Sequence, residues 1–266
     1  MVSQPWTRPQ WHTTIDSTNA RLLADPRPGS VVVAEHQSEG SGRRGRRWVA
    51  PPGMALAVSA AVRAPSPERA GWVPLLAGLA VARALSQHEL ALPTVLKWPN
   101  DVLVPAGVTA PDSPRVTSPR PGKVCGVLAH AAGPVVVVGA GLNIDQGVDD
   151  LPVPEATSWR LGLGLPSLPR EVRQSWLASY LEALGGLLEQ LSVDPSAAAA
   201  AYLRRCDTVG RRVRVELPGG GRSCGTVTGT TDEGALVLQT LTGTQVHRAG
   251  DVVHLRATAP VAGVGS

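Results

Sequence analysis

Residues 37–48, QSEGSGRRGRRW, bring three glycines, four arginines and a tryptophan into one short stretch. Glycines at 40, 42 and 45 let the backbone approach a ligand closely, and Arg43, Arg44, Arg46 and Arg47 present guanidinium forks that match phosphate and carboxylate oxygens. Trp48 adds a flat face on which a base can stack. The chemistry that suits this set is the holding of an anion. The stretch also spells G-x-G-x-x-G after the strand-like VVVAEHQ of residues 31–37. That fingerprint has meaning only where a helix opens at the third glycine and points its N-terminus at a pyrophosphate. Here Pro51 and Pro52 stand where the helix would run, so side chains must hold the anion. Taken alone, the loop has a lesser alternative as a solvated basic segment or a nucleic-acid patch.

Rare residues mark further candidates. Among 25 basic residues only Lys97 and Lys123 are lysine, and the only asparagines are Asn19, Asn100 and Asn143. A chain that writes arginine almost everywhere keeps lysine where a compact ammonium works and a planar fork does not, and asparagine where an amide is required. All five lie in short polar motifs.

The elements that position these residues follow from pattern. Residues 13–25 read as a strand end, a helix cap at Asp16, Ser17 or Thr18, and a short amphipathic helix. Residues 30–35 and 54–63 are apolar strands, the second expected to be buried on both faces. Ser66, Pro67 and Glu68 predict a helix start, with a core helix running to 90. Residues 94–104 predict two short strands around a turn at Pro99 and Asn100, and 123–131 with 135–143 predict an antiparallel hairpin. A helix is expected over about 169–191, and a second after Asp194-Pro195. From residue 207, five short strands in some 50 residues read as a small barrel appended to the main domain. The expected division is 1–206, 207–258 and a loose tail over 259–266, with the proline-rich 105–122 as a surface insertion.

Composition bounds the rest. A chain of 266 residues with 43% hydrophobic content can bury a large core. Three widely spaced cysteines give neither a disulfide framework nor a zinc pattern, and the N-terminus lacks an apolar leader. The expectation is a soluble, cytoplasmic protein with no membrane partner. The net charge of +4 suits an anionic ligand but does not by itself separate a nucleotide from a nucleic acid.

Taken together, IDSTN at 15–19, AEHQ and GSGRRGRRW at 34–48, KWPND at 97–101, GKVCGVL at 122–128 and GAGLNI at 139–144 closely resemble the biotin protein ligases in order and spacing. The resemblance covers residues 13–145 strongly and the terminal strands weakly. It implies an α+β fold: a mixed β-sheet with helices, related to class II aminoacyl-tRNA synthetases, plus a small C-terminal Src-homology-3-like β-barrel. It implies a two-step reaction with ATP, Mg²⁺ and biotin, in which biotinyl-adenylate forms with release of pyrophosphate and biotin then passes to a lysine of a biotin carboxyl carrier protein of an acyl-CoA carboxylase. Many bacterial members begin with a winged-helix DNA-binding domain. The catalytic motif starts here within about 15 residues, so the ligase-only type without DNA binding is expected, as a monomer or a homodimer.

By position in those motifs, Ser17, Thr18 and Gln37 match residues that hydrogen-bond the ureido head of biotin, with Asn19, Gly40, Ser41, Gly42 and Gly126 around the same ligand. Arg43 and Lys123 match residues at the carboxylate and α-phosphate, and are the catalytic candidates. Arg46 matches a phosphate contact, Trp48 a residue near adenine, and Asn143 a nucleotide contact. Lys97, Asn100 and Asp101 match positions serving nucleotide or metal electrostatics or the shape of the turn. Arg256 matches an arginine of the terminal domain that reaches the nucleotide. Ser41 departs from the pattern, since most bacterial members carry arginine there. Its absence predicts faster loss of the adenylate. Two other readings compete: a lipoate ligase or octanoyltransferase relative, whose ligand has no ureido head, and a non-catalytic nucleic-acid module. The terminal strands are poor in aromatic residues, which weakens the latter.

Overall fold

The computed structural model describes residues 6–107, 121–217, 219–248 and 250–255. The first strand, β1 (Gln10–His12), leads into helix α1 (Thr18–Leu23), whose N-cap Ser17 accepts a hydrogen bond from the Ala20 N–H at 3.3 Å. Strands β2 (Val31–Ala34) and β3 (Ala55–Arg63) follow, then helix α2 (Trp72–Gln87). Next come β4 (Val95–Lys97), β5 (Asp101–Val104), β6 (Gly122–Ala132) and β7 (Val135–Asn143). Helices α3 (Trp159–Leu163), α4 (Val172–Val193) and α5 (Pro195–Leu203) complete the larger part. The chain ends in β8 (Arg212–Glu216), β9 (Arg222–Thr230), β10 (Leu236–Thr240), β11 (Gly243–His247) and β12 (Asp251–His254).

Seven strands form one mixed sheet in the order β1-β2-β3-β7-β6-β5-β4, with β1 parallel to β2 and the other pairs antiparallel. The alternation of strand side chains decides what each face becomes. From β3, Leu56, Val58, Ala60 and Val62 point to one face, joined from β7 by Val136, Val138, Ala140 and Leu142, and this face carries the main core with α2 and α4. The opposite face holds Ala57, Ser59 and Ala61 of β3 and Val135, Val137, Gly139 and Gly141 of β7. Leu22 of α1 packs on Val32, Ala61, Val135 and Val137 at one end of it. Beyond that end the small residues Ala57, Gly139 and Gly141 leave a hollow, and the site forms there.

Three expectations need correction. The helix predicted from Ser66 does not start there: Ser66 opens only a single 3-10 turn over Pro67–Arg69, and α2 begins at Trp72 after Gly71. Pro74 gives the reason, because a proline lacks the N–H an interior helical position must donate and is tolerated only in the first turn. The surface insertion expected over 105–122 yields its last residue to the sheet. Gly122 pairs with Val104 and lies against Thr157, whose Cβ would be 2.8 Å from any added methyl. Residues 108–120 of that insertion, like the tail 259–266 and Arg256, lie outside the described residues.

The terminal strands form an antiparallel sheet in the order β11-β10-β9-β8-β12. It is less an appendage than expected, since Val213, Val215, Val227, Leu236 and Leu238 belong to the same buried cluster as α2 and α4. Two buried indoles pin the junction: Trp72 Nε1 donates to Asp232 O at 2.9 Å and Trp98 Nε1 to Gly234 O at 3.3 Å.

Candidate active site

A cavity of about 490 Å³ opens on the small-residue face of the large sheet, within the usual size range of small-molecule sites. Its floor is Ala57, Gly139 and Gly141; its walls are the start of α1, the arginine loop and β6. Gly141 is needed for contact: an added Cβ would sit 2.7 Å from the Trp48 ring, so the indole packs directly on the bare strand.

At one end, Thr18, Asn19 and Gln37 form a polar cluster. Gln37 Oε1 accepts the Thr18 backbone N–H at 2.7 Å and faces Thr18 Oγ1 at 3.0 Å. Asn19 is buried and its Nδ2 donates to Leu128 O at 3.2 Å. The parallel bridge between Ile15 and Gln37 fixes the spacing of the two segments. Such a cluster offers both donors and acceptors to a neutral polar head.

At the other end Lys123 Nζ pairs with Asp101 Oδ1 at 2.6 Å. The ammonium lies across Gly126, where a Cβ would come within 2.9 Å of Nζ. A half-buried, ion-paired ammonium has few rotamers to lose when an anion arrives, which is what electrostatic stabilisation requires. Beside it, burial drives the Cys125 thiol up to about 12, with the Lys123 charge only partly opposing, so this sulfur stays an inert neutral wall.

The arginine loop closes between the two ends. Trp48 N–H donates to Gly40 O at 2.8 Å and Ser41 bridges Arg47, which folds residues 40–48 back on themselves. Arg43 Nη1 donates to Asn100 Oδ1 at 3.2 Å and Gly250 O at 3.1 Å. Asp251 of β12 gathers three guanidinium groups: Arg43 at 3.4 Å, Arg44 at 3.3 Å and Arg46 at 3.6 Å. Burial lowers the Arg43 pKa from its ordinary value, while Asp251 and then Asp101 oppose that shift.

The cavity thus brings together Ser17, Thr18, Asn19 and Gln37 with Ser41, Gly42, Arg43, Arg46 and Trp48, and with Asn100, Lys123, Gly126 and Asn143. Gly40 and Asp101 stand just behind it, through Trp48 and Lys123. Asn143 reaches the cavity with its amide engaged, donating to Thr157 O at 2.9 Å and accepting from Gln146 at 3.0 Å. Lys97 does not line the cavity; its charge acts on His254 at the junction with the terminal sheet. Residues that sequence reasoning missed are Asp251, Ser59 and the pair Gly139 and Gly141. For the glycines there was a signal, because glycine inside a strand marks close approach. For Asp251 and Ser59 there was none, since neither stands in a polar motif near the others.

The architecture is that of solved biotin protein ligases. The enzyme from Aquifex aeolicus in complex with biotin and ATP matches with a TM-score of 0.76 over 95% of this chain and 100% of that one, at 24% identity. Among curated proteins, the biotin–[acetyl-CoA-carboxylase] ligase of Mycobacterium tuberculosis is 41% identical over 249 residues, 90% of this chain and 86% of that one. The Paracoccus denitrificans ligase of the same name is 30% identical over 89% of this chain and 96% of its own. Residues 11–144 match the biotin/lipoate A/B protein ligase family and 208–255 the biotin protein ligase C-terminal domain. The chain belongs to this family, as a biotin protein ligase.

Proposed function

We propose that this ligase joins the carboxylate of biotin to the α-phosphorus of ATP in the cavity between Thr18 and Lys123, and passes the biotinyl group to a lysine of a carboxylase carrier domain. In the first step a carboxylate oxygen attacks the α-phosphorus and pyrophosphate leaves. No proton moves, because the carboxylate is already ionised near neutral pH. The work left to the protein is alignment and neutralisation of two approaching anions. Lys123 and Arg43 suit the α-phosphate and carboxylate oxygens, and Arg46 the outer phosphates. In the second step the acceptor amine, as the free base, attacks the acyl carbon; its N–C bond forms, the acyl–oxygen bond breaks, and AMP departs while the proton lost from nitrogen passes to the departing phosphate or to water. Trp48, against Gly141, offers a face for the adenylate.

Mg²⁺ would shield the phosphates in this scheme. Among the described residues there is no group of three or more His, Cys, Asp or Glu able to hold a metal, so the ion fits best as one carried on the nucleotide. The observation that carries the reading is one cavity with a neutral hydrogen-bonding cluster at one end, an ammonium and guanidinium groups at the other, and an apolar floor between. The test is pyrophosphate release from ATP and Mg²⁺, with biotin, lipoate and octanoate supplied separately and the product identified by mass. Biotin-dependent release with biotinyl-adenylate is expected. Release with lipoate alone would move the chain to the sister branch of its family.

A further inference from the structure

The loop 144–158 between β7 and α3 is exposed at Val148 and Val153, yet Gln146 near its start is fully buried. It does not line the cavity. Its Nε2 donates to Asn143 Oδ1 at 3.0 Å, and Asn143 Nδ2 donates in turn to Thr157 O at 2.9 Å. The two amides fix each other. Flipping Asn143 would set two oxygens against each other at Thr157, and flipping Gln146 alone would do the same at Asn143.

The cost of this arrangement falls on Gln146. Among the described residues its Oε1 has no hydrogen-bond partner, and a buried acceptor left unmet lowers stability. An apolar side chain of similar size would fill the space without that cost. The backbone there is held independently of the side chain, because Ser158 Oγ donates to Gln146 O at 2.7 Å. What the amide supplies, and an apolar side chain does not, is the N–H on Asn143.

Asn143 ends β7 on the same face as Gly139 and Gly141, and Trp48 packs on Gly141. With Oδ1 taken by Gln146 and one Nδ2 hydrogen by Thr157 O, Asn143 keeps a single N–H that has no acceptor among the described residues, and its side chain lines the cavity. We propose that Gln146 is a positioning residue that holds Asn143 as a hydrogen-bond donor toward the nucleotide, beside the Trp48 face. The inference rests on the ATP reading above and adds the buried residue that sets the Asn143 amide. Lys123 is held separately: its N–H donates to Glu155 O at 2.7 Å and its carbonyl accepts the Thr157 N–H at 2.8 Å. Loss of the Gln146 amide should therefore weaken the use of ATP and spare the rate at saturation.

The test is the initial rate of pyrophosphate release, with ATP and biotin varied in turn, for the wild-type chain, Gln146→Leu, Asn143→Ala and the double variant, alongside thermal unfolding. Gln146→Leu should raise the ATP KM about tenfold, with the biotin KM within about twofold and kcat within about threefold. Its unfolding temperature should not fall, since the unmet oxygen is gone. In the Asn143→Ala background the same substitution should move the ATP KM by less than about twofold, because the donor that Gln146 positions is already absent. Full additivity in this cycle, or an ATP KM unmoved in Gln146→Leu, would overturn the role of Gln146 alone. Gln146→Met carries the comparison if Gln146→Leu does not fold. A wild-type chain that releases no pyrophosphate with biotin and ATP would overturn the proposed reaction and this inference with it.

Discussion

Lys123 and Arg43 carry the positive charge that faces the reacting atoms in the proposed chemistry, and their surroundings show why the two are not interchangeable. Lys123 is a compact ammonium held by one carboxylate, Asp101 at 2.6 Å, over a bare Gly126, whereas Arg43 spreads its fork over Asn100, Gly250 O and Asp251. Lys123→Gln should slow pyrophosphate release by about a hundredfold or more at saturating biotin, as expected when a preorganised charge is removed from a developing anion. Single-turnover kinetics would check it, and a loss confined to the biotin KM would assign Lys123 to binding only. Ser41 lies at the rim, exposed, with Oγ donating to Glu39 O at 3.4 Å. An arginine there would extend over the opening, so Ser41→Arg should slow release of the adenylate several-fold. If stopped-flow dissociation gives the same rate for both proteins, the departure at this position has no bearing on retention.

The arginine loop shows what an element gains from its neighbours. Four charged or polar anchors come from outside it: Asp251, Gly250 O, Asn100 and Glu216 O. Arg44 takes a left-handed conformation with φ 57°, which costs a non-glycine residue about 1 kcal/mol. Its bonds to Asp251 and to Glu216 O at 2.6 Å offset that cost. Among the described residues Asp251 is the only carboxylate paired with all three of Arg43, Arg44 and Arg46, so Asp251→Asn leaves three cations repelling one another. The loop should then open more often, and trypsin should cut within 43–47 about tenfold faster in the protein without ligand. Equal cleavage rates would mean that the loop is held by its backbone bridge between Ser41 and Arg47 instead.

At the scale of the whole molecule, the two sheets share a core, and a histidine sits at their seam. His254 of β12 has its ring 3.1 Å from Thr208 Oγ1. Burial is the main cause that lowers its pKa to about 4, with Lys97 and Arg211 adding to the shift and Asp207 opposing it. The unfolded chain therefore binds this proton at higher pH than the folded one. The contribution is fully present above about pH 6.5, is lost as pH falls from there toward 4, and levels off below, in total on the order of 3 kcal/mol. Urea unfolding of wild type and His254→Gln between pH 4 and 7.5 would show it: the slope should flatten in the variant, and parallel curves would refute the assignment. Among the described residues, no helix is long and apolar enough to cross a membrane.

Residue type and local spacing were enough to determine a good deal about this protein. The arginine loop, the lysine at 123, the amides at 19 and 100 and the strand runs around them were legible because each is a short segment whose composition departs from an apolar, arginine-biased background. The hairpin of β6 and β7 was legible for the same reason, as two branched runs around Gly133 and Pro134. What only the tertiary structure decided depends on which distant segments meet. Nothing near Ser59 in sequence distinguishes it from a tolerated serine in an apolar strand until the antiparallel register sets it beside Gly139 and beneath Thr18 and Asn19. Asp251 gains its meaning from a loop about two hundred residues earlier. Even the start of α2 required weighing Pro74 against the cap at Ser66. Side-chain chemistry is a property of the residue, whereas the desolvation and partnering that direct it are properties of the packed sheets.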